Sequence, residues 1–426
     1  MIYDLIYIIA AVLTMPYFFV KALFVPKYRA GLKEKLGFIS SAAMPSKDTV
    51  WFHCVSVGEV LASVKLIREF RKSHPEFAVA VSTTTNTGRN VAEKNDIADV
   101  YFYYPFDFSW VVSRVLAAVK PKALILTELE VWPNMLRKAF KKGIPVAVVN
   151  GRLSERSFKR FRMVNALCRN MFSKLAFCSV QDETYRERFV ALGTLEDRTA
   201  AAGNMKYDSL TENVDAEKLD QTKELLHIKD EDLILMGGST HEGEERILLD
   251  AYNKLLSQFP GLRLVLVPRH PERLQTVCAE VEKSDNSYYL KSKLTGDEED
   301  TASRVIIVDT MGELSMLYVL STIAFVGGSF AGTGGQNMLE PVIFKKPVVV
   351  GPTTFNFDED MRRLRQGNGI CEADTGEELI ETVGSLLADP EKRMNLGKNG
   401  YDVIQEYRGA VDKNLELLKQ YIFKDN

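Results

Sequence analysis

The sequence has few of the residues that hold metals or form disulfides. It contains five cysteines and five histidines among 426 residues. The cysteines are scattered without a CxxC pair, and the histidines form neither HExxH nor HxxH. These absences argue against a disulfide framework, a zinc–cysteine site and a histidine metal site, and they favour a reducing compartment. We therefore predict no metal site.

Two common nucleotide-binding motifs are also missing. No GxxxxGK[ST] stretch occurs, which excludes a P-loop NTPase. The late GTGGQN stretch is not GxGxxG, which argues against a dinucleotide oxidoreductase. The net charge of -3 argues against general attraction to nucleic acid, so we expect no nucleic-acid partner.

Charge is absent from one stretch near the N-terminus. Residues 5–20 read LIYIIAAVLTMPYFFV, which is slightly shorter than the ~20 apolar residues that span a bilayer. Five basic residues follow it and suit an anionic, cytoplasmic membrane surface; they are Lys21, Lys27, Arg29, Lys33 and Lys35. We predict that residues 1–25 form an uncleaved membrane anchor that spans the membrane or lies in its interface. The alternative is a buried helix, which Pro16 would kink.

The rest of the chain alternates short β-rich runs with helical stretches. Seven such runs, from VWFHCVSV to RTAAAGN, come before a polar linker, and five, from LILMGGST to PVVVG, come after it. This alternation predicts βαβ units and parallel sheets. We therefore predict an α/β protein with Rossmann-like domains at residues 26–205 and 206–426, facing each other across a cleft. The last helix could pack back on the first domain.

The first strand ends in SVGE, which places Ser56, Gly58 and Glu59 where ligands bind in such sheets. Glu59 could complement the dipole of the following helix, or it could be a general base that accepts a proton from a substrate hydroxyl. Gly58 would allow a ligand to approach that carboxylate closely. Both interpretations of Glu59 stay open on these residues alone.

Basic residues follow two other strands of the first domain. Arg89 lies in TTTNTGR, and a run rich in arginine begins at Arg152. Arg152, Arg156 and Arg160 share one helical face. Such a face is usually solvated, but next to a membrane anchor it favours a phosphorylated, membrane-held acceptor.

The second domain carries glycine-rich turns ahead of helices, where backbone N–H groups can bind an anion. The turns are Gly237–Ser239, Gly327–Ser329 and Gly334–Gly335, and Arg269 and His270 follow a neighbouring strand. Any one turn could exist only to bend the chain. Together they favour a ligand that bears phosphate.

For the carboxylates in the second half of the chain, the sequence gives weaker evidence of a function. Glu340 could accept hydrogen bonds from a ribose or complement a helix dipole. The DxD triplets at Asp230–Asp232 and Asp358–Asp360 do not follow strands. We therefore discount them as metal ligands.

Nine stretches, in order, resemble the motif series of the 3-deoxy-D-manno-octulosonic acid (Kdo) transferases of lipopolysaccharide assembly. They are HCVSVGE, TTTNTGR, TELEVWPN, NGRLSERS, GNMKYD, GSTHEGEE, VPRHPER, MGEL and VGGSFAGTGGQNMLEP. The resemblance implies a GT-B glycosyltransferase that needs no metal or other cofactor. It also implies an acceptor site in the first domain and a nucleotide-sugar site in the second.

The resemblance further implies partners and residue roles. Members of this family transfer Kdo from CMP-Kdo to a phosphorylated lipid A precursor at the cytoplasmic face of the inner membrane. Glu59 would be the catalytic base, and a second carboxylate would be Glu128 as first choice or Glu130 as second. The implied donor-binding residues are Arg269, His270, Met311, Gly312, Glu313, Ser329, Asn337 and Glu340, to which the glycine-rich turns add Gly238, Ser239 and Gly335. Ser56, Gly58, Arg89, Arg152, Arg156 and Arg160 would contact the acceptor.

One residue departs from the pattern, because many members have histidine where this chain has Gln336. Glutamine can donate a hydrogen bond but cannot carry charge, so donor binding could differ. Two other functions stay open: a nucleotide-sugar 2-epimerase on the same fold, and a non-catalytic membrane scaffold. The apolar N-terminus and the basic helix argue against the epimerase, which needs no lipid acceptor.

Overall fold

The computed structural model describes residues 2–24, 29, 31–40, 44–295 and 304–423. Lys27, one of the basic residues next to the predicted anchor, lies outside these ranges. The chain divides into two compact units, of which the first comprises Met1–Ser209 and Tyr407–Asn426 and the second Leu210–Glu406.

The first unit contains a seven-stranded parallel sheet with the order β3-β2-β1-β4-β5-β6-β7. Its strands are β1 Thr49–His53, β2 Ala78–Thr83, β3 Val100–Tyr103, β4 Pro121–Thr127, β5 Val146–Gly151, β6 Phe177–Val180 and β7 Thr199–Ala201. Its helices up to residue 208 are α1 Ile2–Phe24, α2 Leu32–Lys35, α3 Val57–Ser73, α4 Asn86–Lys94, α5 Ser109–Val119, α6 Pro133–Lys141, α7 Glu155–Arg162, α8 Asn165–Phe172, α9 Glu183–Leu192 and α10 Met205–Asp208.

The sheet is covered on both faces, which explains why its strands are continuously apolar. All five residues of β1 are buried. Trp51 packs in one core cluster, while its neighbours Val50 and Phe52 pack in another, because side chains alternate across a strand. The helices that connect the strands supply the other half of each cluster.

The second unit repeats this plan with the sheet order β10-β11-β9-β8-β12-β13-β14, again entirely parallel. The strands are β8 Leu233–Thr240, β9 Leu262–Pro268, β10 Tyr288–Leu290, β11 Val305–Ile307, β12 Ile323–Val326, β13 Val348–Val350 and β14 Cys371–Glu372. The helices are α11 Ala216–Leu225, α12 Glu244–Leu256, α13 Leu274–Lys283, α14 Leu314–Tyr318, α15 Leu339–Val342, α16 Asp358–Gln366, α17 Gly376–Ala388 and α18 Pro390–Glu406.

The last helix, α19 Ala410–Tyr421, belongs to the first unit, where it contacts α3, α10 and β6. Asp208 caps it: the Asp208 carboxylate accepts hydrogen bonds from the N–H of Gly409 at 2.7 Å and of Val411 at 2.8 Å. This contact holds the residues up to Ser209 in the first unit. The short helix α10 is held by α19 on the first unit's side.

The N-terminal helix α1 is fixed to the first unit through its first turns. Asp4 accepts a hydrogen bond from the N–H of Ser109 at 2.7 Å, and the Tyr7 hydroxyl donates to Asp107 at 3.1 Å. Among the residues described, no helix is both long enough and apolar enough to cross a membrane.

The strand order changes direction at the centre of each sheet, between β1 and β4 in the first unit and between β8 and β12 in the second. Ligands of open parallel sheets bind beyond the carboxyl ends of the strands at such a switch point. SVGE follows β1 and TELE follows β4. In the second unit, GGSTHEGEE follows or ends β8, and GGSFAGTGGQN follows β12. The predicted motifs therefore flank both switch points.

Candidate functional site

The turn after β1 fixes the Glu59 carboxylate by hydrogen bonds. Ser56 is the N-cap of α3, and its hydroxyl accepts a hydrogen bond from the Glu59 N–H at 3.5 Å. The Glu59 carboxylate in turn accepts from the Val55 N–H at 2.8 Å and from the Ser56 hydroxyl at 3.3 Å. This reciprocal arrangement is a variant of the capping box. It gives Glu59 a structural role and also holds its carboxylate in one orientation.

The environment of Glu59 suits a base. Burial raises the pKa of Glu59 to about 7, the hydrogen bond from Val55 opposes that shift, and the nearby charges of Glu128 and Glu130 add to it. A general base is most effective when its pKa lies near the working pH. Glu59 can therefore both accept and release a proton at neutral pH.

Glu128 follows β4, directly beside β1 in the sheet. Its backbone has a φ of 60°, a left-handed conformation that is costly for a residue with a side chain, and its N–H donates to the Val149 carbonyl at 2.9 Å. Burial raises the pKa of Glu128, Arg152 opposes the shift and Glu130 adds to it. The structure thus brings the other two predicted carboxylates, Glu128 and Glu130, into electrostatic contact with Glu59 at the switch point.

Within the described residues, Glu130, unlike Glu128, makes a side-chain hydrogen bond in its own loop. Its carboxylate accepts a hydrogen bond from the Trp132 indole N–H at 2.8 Å. Burial raises the pKa of Glu130, and this hydrogen bond opposes the shift. The contact favours a role for Glu130 in shaping the loop ahead of α6.

The predicted acceptor arginines fall into two groups. Arg152 lies close enough to affect the pKa of Glu128, and Arg156 and Arg160 are exposed on α7. Arg89 is different, because its guanidinium binds Glu34 at 3.0 Å and Glu93 at 2.8 Å. Arg89 therefore ties α2 to α4, which favours a structural role over an acceptor contact.

Gly58 is not required by the backbone or by packing. A Cβ built on it would meet no atom outside the adjoining residues closer than the Ser56 hydroxyl oxygen, at 3.9 Å. We expect Gly58→Ala to leave the fold intact and to raise thermal stability slightly, because alanine is the better helix former by roughly 0.5–1 kcal/mol. If Gly58 leaves room for an acceptor, the same variant should lose at least about tenfold in kcat/KM for the acceptor, a barrier increase of about 1.4 kcal/mol. Unchanged kinetics in a folded variant would contradict that role.

In the second unit, four of the predicted donor-binding residues line one pocket of about 110 Å³. They come from three strand ends: Ser239 from β8, Arg269 from the loop after β9, and Met311 and Gly312 from the loop after β11. Ser239 has a φ of 53°, again left-handed, which turns the chain at the pocket edge. Apolar walls from Val267 and Leu274 complete a space with a polar rim.

The loop after β11 is fixed by an ion pair. Glu313 binds the buried Lys291 at 2.9 Å and accepts from the Thr310 hydroxyl at 2.5 Å. Burial would raise the pKa of Glu313, but these two contacts outweigh it and lower the pKa. The Glu313 carboxylate therefore stabilises the loop that presents Met311 and Gly312 to the pocket.

His270, Gln336 and His241 form a polar group near this loop cluster. The rings of His241 and His270 lie 5.5 Å apart, edge to face. The Gln336 amide nitrogen lies 3.1 Å from His241 Nε2, and burial is the main cause that lowers the pKa of His241. In this chain Gln336 therefore contacts a histidine whose pKa is lowered by burial.

In the turn at Gly327–Ser329, the N–H groups of Gly327 and Gly328 are bonded within the protein, that of Gly327 to the Gly238 carbonyl at 2.9 Å. The buried carboxylate of Glu244 accepts hydrogen bonds from the N–H groups of Gly328 and Phe330. Ser329 is also buried, and its hydroxyl donates to the Val326 carbonyl and accepts from the Gly351 N–H, at 2.8 Å each. Sequence reasoning missed Glu244 because a glutamate in a first helical turn reads as a dipole complement.

Two more of the predicted positions have local structural reasons. Gly238 is buried, and a Cβ there would lie 2.0 Å from the Tyr318 hydroxyl oxygen, so packing requires the glycine. Gly335 has a φ of 79°, which favours glycine. Neither observation tests a ligand contact.

Asn337 and Glu340 form a pair at the start of α15. The Asn337 amide nitrogen donates to the Glu340 carboxylate at 3.0 Å. The Asn337 Oδ1 atom is buried and has no hydrogen-bond partner within the described part of the chain. An unsatisfied buried acceptor is costly, so Oδ1 is a candidate to receive a donor group from a ligand.

In the ranges that the structure describes, no three histidine, cysteine, aspartate or glutamate side chains come together in a group that could hold a metal ion.

Solved structures share this two-sheet plan and identify it as the GT-B type. The UDP-GlcNAc 2-epimerase of Neisseria meningitidis matches with a TM-score of 0.58 and 16% identity, covering 87% of this chain and 100% of that chain. A glycosyltransferase of Rickettsia africae matches with a TM-score of 0.56 and 12% identity, covering 90% of this chain and 100% of that one. At such identities these matches show the fold alone.

Sequence relatives identify the family. The family model described as 3-deoxy-D-manno-octulosonic-acid transferase (kdotransferase) matches residues 30–209. The 3-deoxy-D-manno-octulosonic acid transferase of Haemophilus influenzae is 37% identical over 93% of this chain and 92% of its own length. That of Chlamydophila psittaci is 31% identical over 99% of this chain and 96% of its own. The chain belongs to the Kdo transferase family and is a glycosyltransferase.

Proposed function

We propose that the protein transfers Kdo from CMP-Kdo to a phosphorylated lipid A precursor, with inversion at the anomeric carbon. One observation carries the proposal: a fixed, half-buried glutamate with a pKa of about 7 lies at the sheet's switch point. The relatives named as Kdo transferases supply the class of sugar. Such a carboxylate is what a transfer to a sugar hydroxyl needs.

The proposed reaction is a single displacement. Glu59 accepts the proton of the acceptor hydroxyl while that oxygen forms a bond to the anomeric carbon of Kdo. The bond from that carbon to the phosphate oxygen breaks, and CMP leaves with its electron pair. Burial is the main cause of the raised pKa of Glu59, and the charge of Glu128 adds to it because a second negative charge disfavours ionisation.

In this proposal the second unit binds the donor. Ser239, Arg269, Met311 and Gly312 line the pocket that would hold the nucleotide. Arg269 and the exposed His270 would stabilise the negative charge that develops on the leaving phosphate. No step requires a metal ion or another cofactor.

The acceptor would bind through its phosphates in the first unit. Arg156 and Arg160 are exposed on α7, and guanidinium groups bind phosphate with two parallel hydrogen bonds. Arg152 lies between this helix and Glu128 in sequence, and it influences the pKa of Glu128. The basic face would therefore place the acceptor sugar near the carboxylates.

We further propose that α1 binds the cytoplasmic face of the inner membrane by lying in its interface. Asp4 and Tyr7 fix one side of the helix to the protein. Six large apolar residues of the helix are exposed, from 43% to 76%; they are Leu5, Ile6, Ile8, Ile9, Val12 and Leu13. Apolar surface of this kind is costly in water and inserts favourably into a lipid interface.

The membrane proposal predicts the effect of a double variant, Ile9→Glu with Leu13→Glu. We expect the variant to lower co-sedimentation with vesicles that contain an anionic lipid by at least about tenfold. Each of the two apolar side chains contributes roughly 1.5–3 kcal/mol when it is buried in the membrane. Leu195→Glu is the matched control, since Leu195 is also exposed but lies far along the chain from α1. Equal vesicle binding by both variants would contradict the proposal.

Nucleotide protection distinguishes the proposed donor from that of a UDP-sugar 2-epimerase. A ligand that binds only the folded protein raises thermal stability by an amount that grows with the logarithm of its concentration relative to Kd. We expect CMP to raise the melting temperature and UDP to leave it unchanged. Protection by UDP alone would favour the epimerase.

A further inference from the structure

A buried carboxylate, Glu244, joins the two loops at the switch point of the second unit. It is the first residue of α12 and is 1% exposed. Its Oε2 atom accepts hydrogen bonds from the N–H groups of His241 and Gly328, each at 2.8 Å. Its Oε1 atom accepts from the N–H of Phe330 at 2.9 Å and of Ala331 at 3.4 Å. The loop after β8 is thereby fixed to the loop after β12.

These four N–H groups form an anion nest, which the protein fills with its own carboxylate. Converging N–H groups of this kind bind phosphate in many nucleotide sites. The approach of the two loops requires Gly327, because a Cβ there would lie 2.3 Å from the Ser239 carbonyl oxygen and 2.8 Å from Glu244 Oε2. An external anion therefore has no room in the nest while Glu244 occupies it.

The charge of Glu244 is not neutralised in the way that its neighbour's is. Glu245 is equally buried, but Arg273 binds both of its carboxylate oxygens, at 2.9 and 3.1 Å. In the described part of the chain, the hydrogen-bond partners of Glu244 are backbone N–H groups, which add no full positive charge; Arg273 interacts with Glu244 only through space. A negative charge thus lies behind Ser239, which lines the proposed nucleotide pocket. At low dielectric it disfavours a second anionic group nearby.

We propose that Glu244 is a specificity-determining residue of the donor site. Its carboxylate occupies the nest and so excludes the second phosphate of a nucleoside diphosphate sugar, which leaves room for a donor with one phosphate. This inference rests on the proposed function, which places a nucleoside monophosphate sugar in the second unit. The single donor phosphate then binds outside the nest, where the Arg269 guanidinium is exposed.

The test compares Glu244→Ala, which empties the nest, with Glu245→Ala, which removes a buried carboxylate of the same turn. Thermal unfolding is measured with formate or inorganic phosphate against chloride at equal ionic strength. We expect formate and phosphate to raise the melting temperature of Glu244→Ala by several degrees more than that of wild type or Glu245→Ala. Equal shifts of the melting temperature in all three proteins would contradict the claim that these N–H groups bind an anion. If Glu244→Ala folds only in formate or phosphate, that rescue supports the nest, and failure to fold in any of them overturns it.

Nucleotide selectivity tests the second half of the proposal. Dissociation constants for CMP and CDP are measured on wild type, on Glu244→Ala and on Glu244→Gln. The glutamine variant removes the charge of residue 244 but keeps the size of its side chain. The preference for CMP over CDP should fall by at least about tenfold in Glu244→Ala, a change of about 1.4 kcal/mol. An unchanged preference in a folded variant would overturn the inference. Failure of CMP to bind wild type would instead contradict the proposed function. In that case the formate and phosphate measurements would still test whether the four N–H groups bind an anion.

Discussion

Glu59→Gln is expected to lose Kdo transfer by roughly 10²–10⁴-fold, because a general base contributes about that factor. Glutamine has nearly the same shape, and its carbonyl oxygen can still accept the hydrogen bond from Val55 that fixes Glu59. Binding should therefore be kept, so that kcat falls while the KM values for donor and acceptor change little. Steady-state kinetics with saturating donor and acceptor measures this directly.

The same variant should be more stable than wild type at neutral pH. The pKa of Glu59 is raised to about 7 in the folded protein from an ordinary value of 4.5. The folded state therefore holds the proton more tightly, and ionisation of Glu59 removes stability as the pH rises from about 4.5 to about 7. The uncharged glutamine avoids that loss, so the stability gap between the two proteins should widen over this range. A variant that is both fully active and no more stable would contradict the assignment of the base.

In wild type, the rate should follow the ionisation of Glu59. Only the deprotonated carboxylate can accept a proton, so kcat/KM should fall as the pH drops below about 7. This acid limb must be absent from the residual activity of Glu59→Gln.

Glu128→Gln should give the second large effect. Removing the Glu128 charge lowers the pKa of Glu59, because that charge is one of the causes that raise it. The acid limb of the pH profile should therefore move to lower pH, and the plateau of kcat/KM above it should fall because Glu59 becomes a weaker base. A pH series of kcat/KM on the purified variant measures both changes.

Glu130→Gln is the matched control for Glu128→Gln, because the two residues share one loop and both have raised pKa values. A glutamine oxygen at this position can still accept the hydrogen bond from the Trp132 indole, so we expect Glu130→Gln to stay folded and to change the rate less than Glu128→Gln does. The reverse order of rates would make Glu130 the second functional carboxylate.

The sequence predicted all seven strands of the first sheet, including its short edge strands β3 and β7. The central strands are easy to predict because they are buried and continuously apolar. In the second half, β10 and β14 were not predicted. They have only three and two residues and lie at the two edges of the sheet, so little burial pattern marks them.

The residues of the candidate site could be predicted where they lie at the carboxyl ends of strands. Ser239, Arg269, Met311 and Gly312 are far apart in the sequence, yet they line one pocket because their strands end at the same edge of a parallel sheet. Contacts made at a distance could not be predicted. The binding of Arg89 to Glu34 is one, and the occupation of the glycine turn by Glu244 is another.

Kdo transfer is tested most directly by measuring the mass of the acceptor before and after incubation with the protein. The wild-type protein is incubated with CMP-Kdo and a lipid A precursor in the presence of a chelator, with Glu59→Gln as the matched control. We expect the precursor to gain whole Kdo units with wild type, with release of one CMP for each unit, and to stay unmodified with the variant over the same time. A precursor of unchanged mass after incubation with folded wild-type protein, or equal gains with both proteins, would contradict this account.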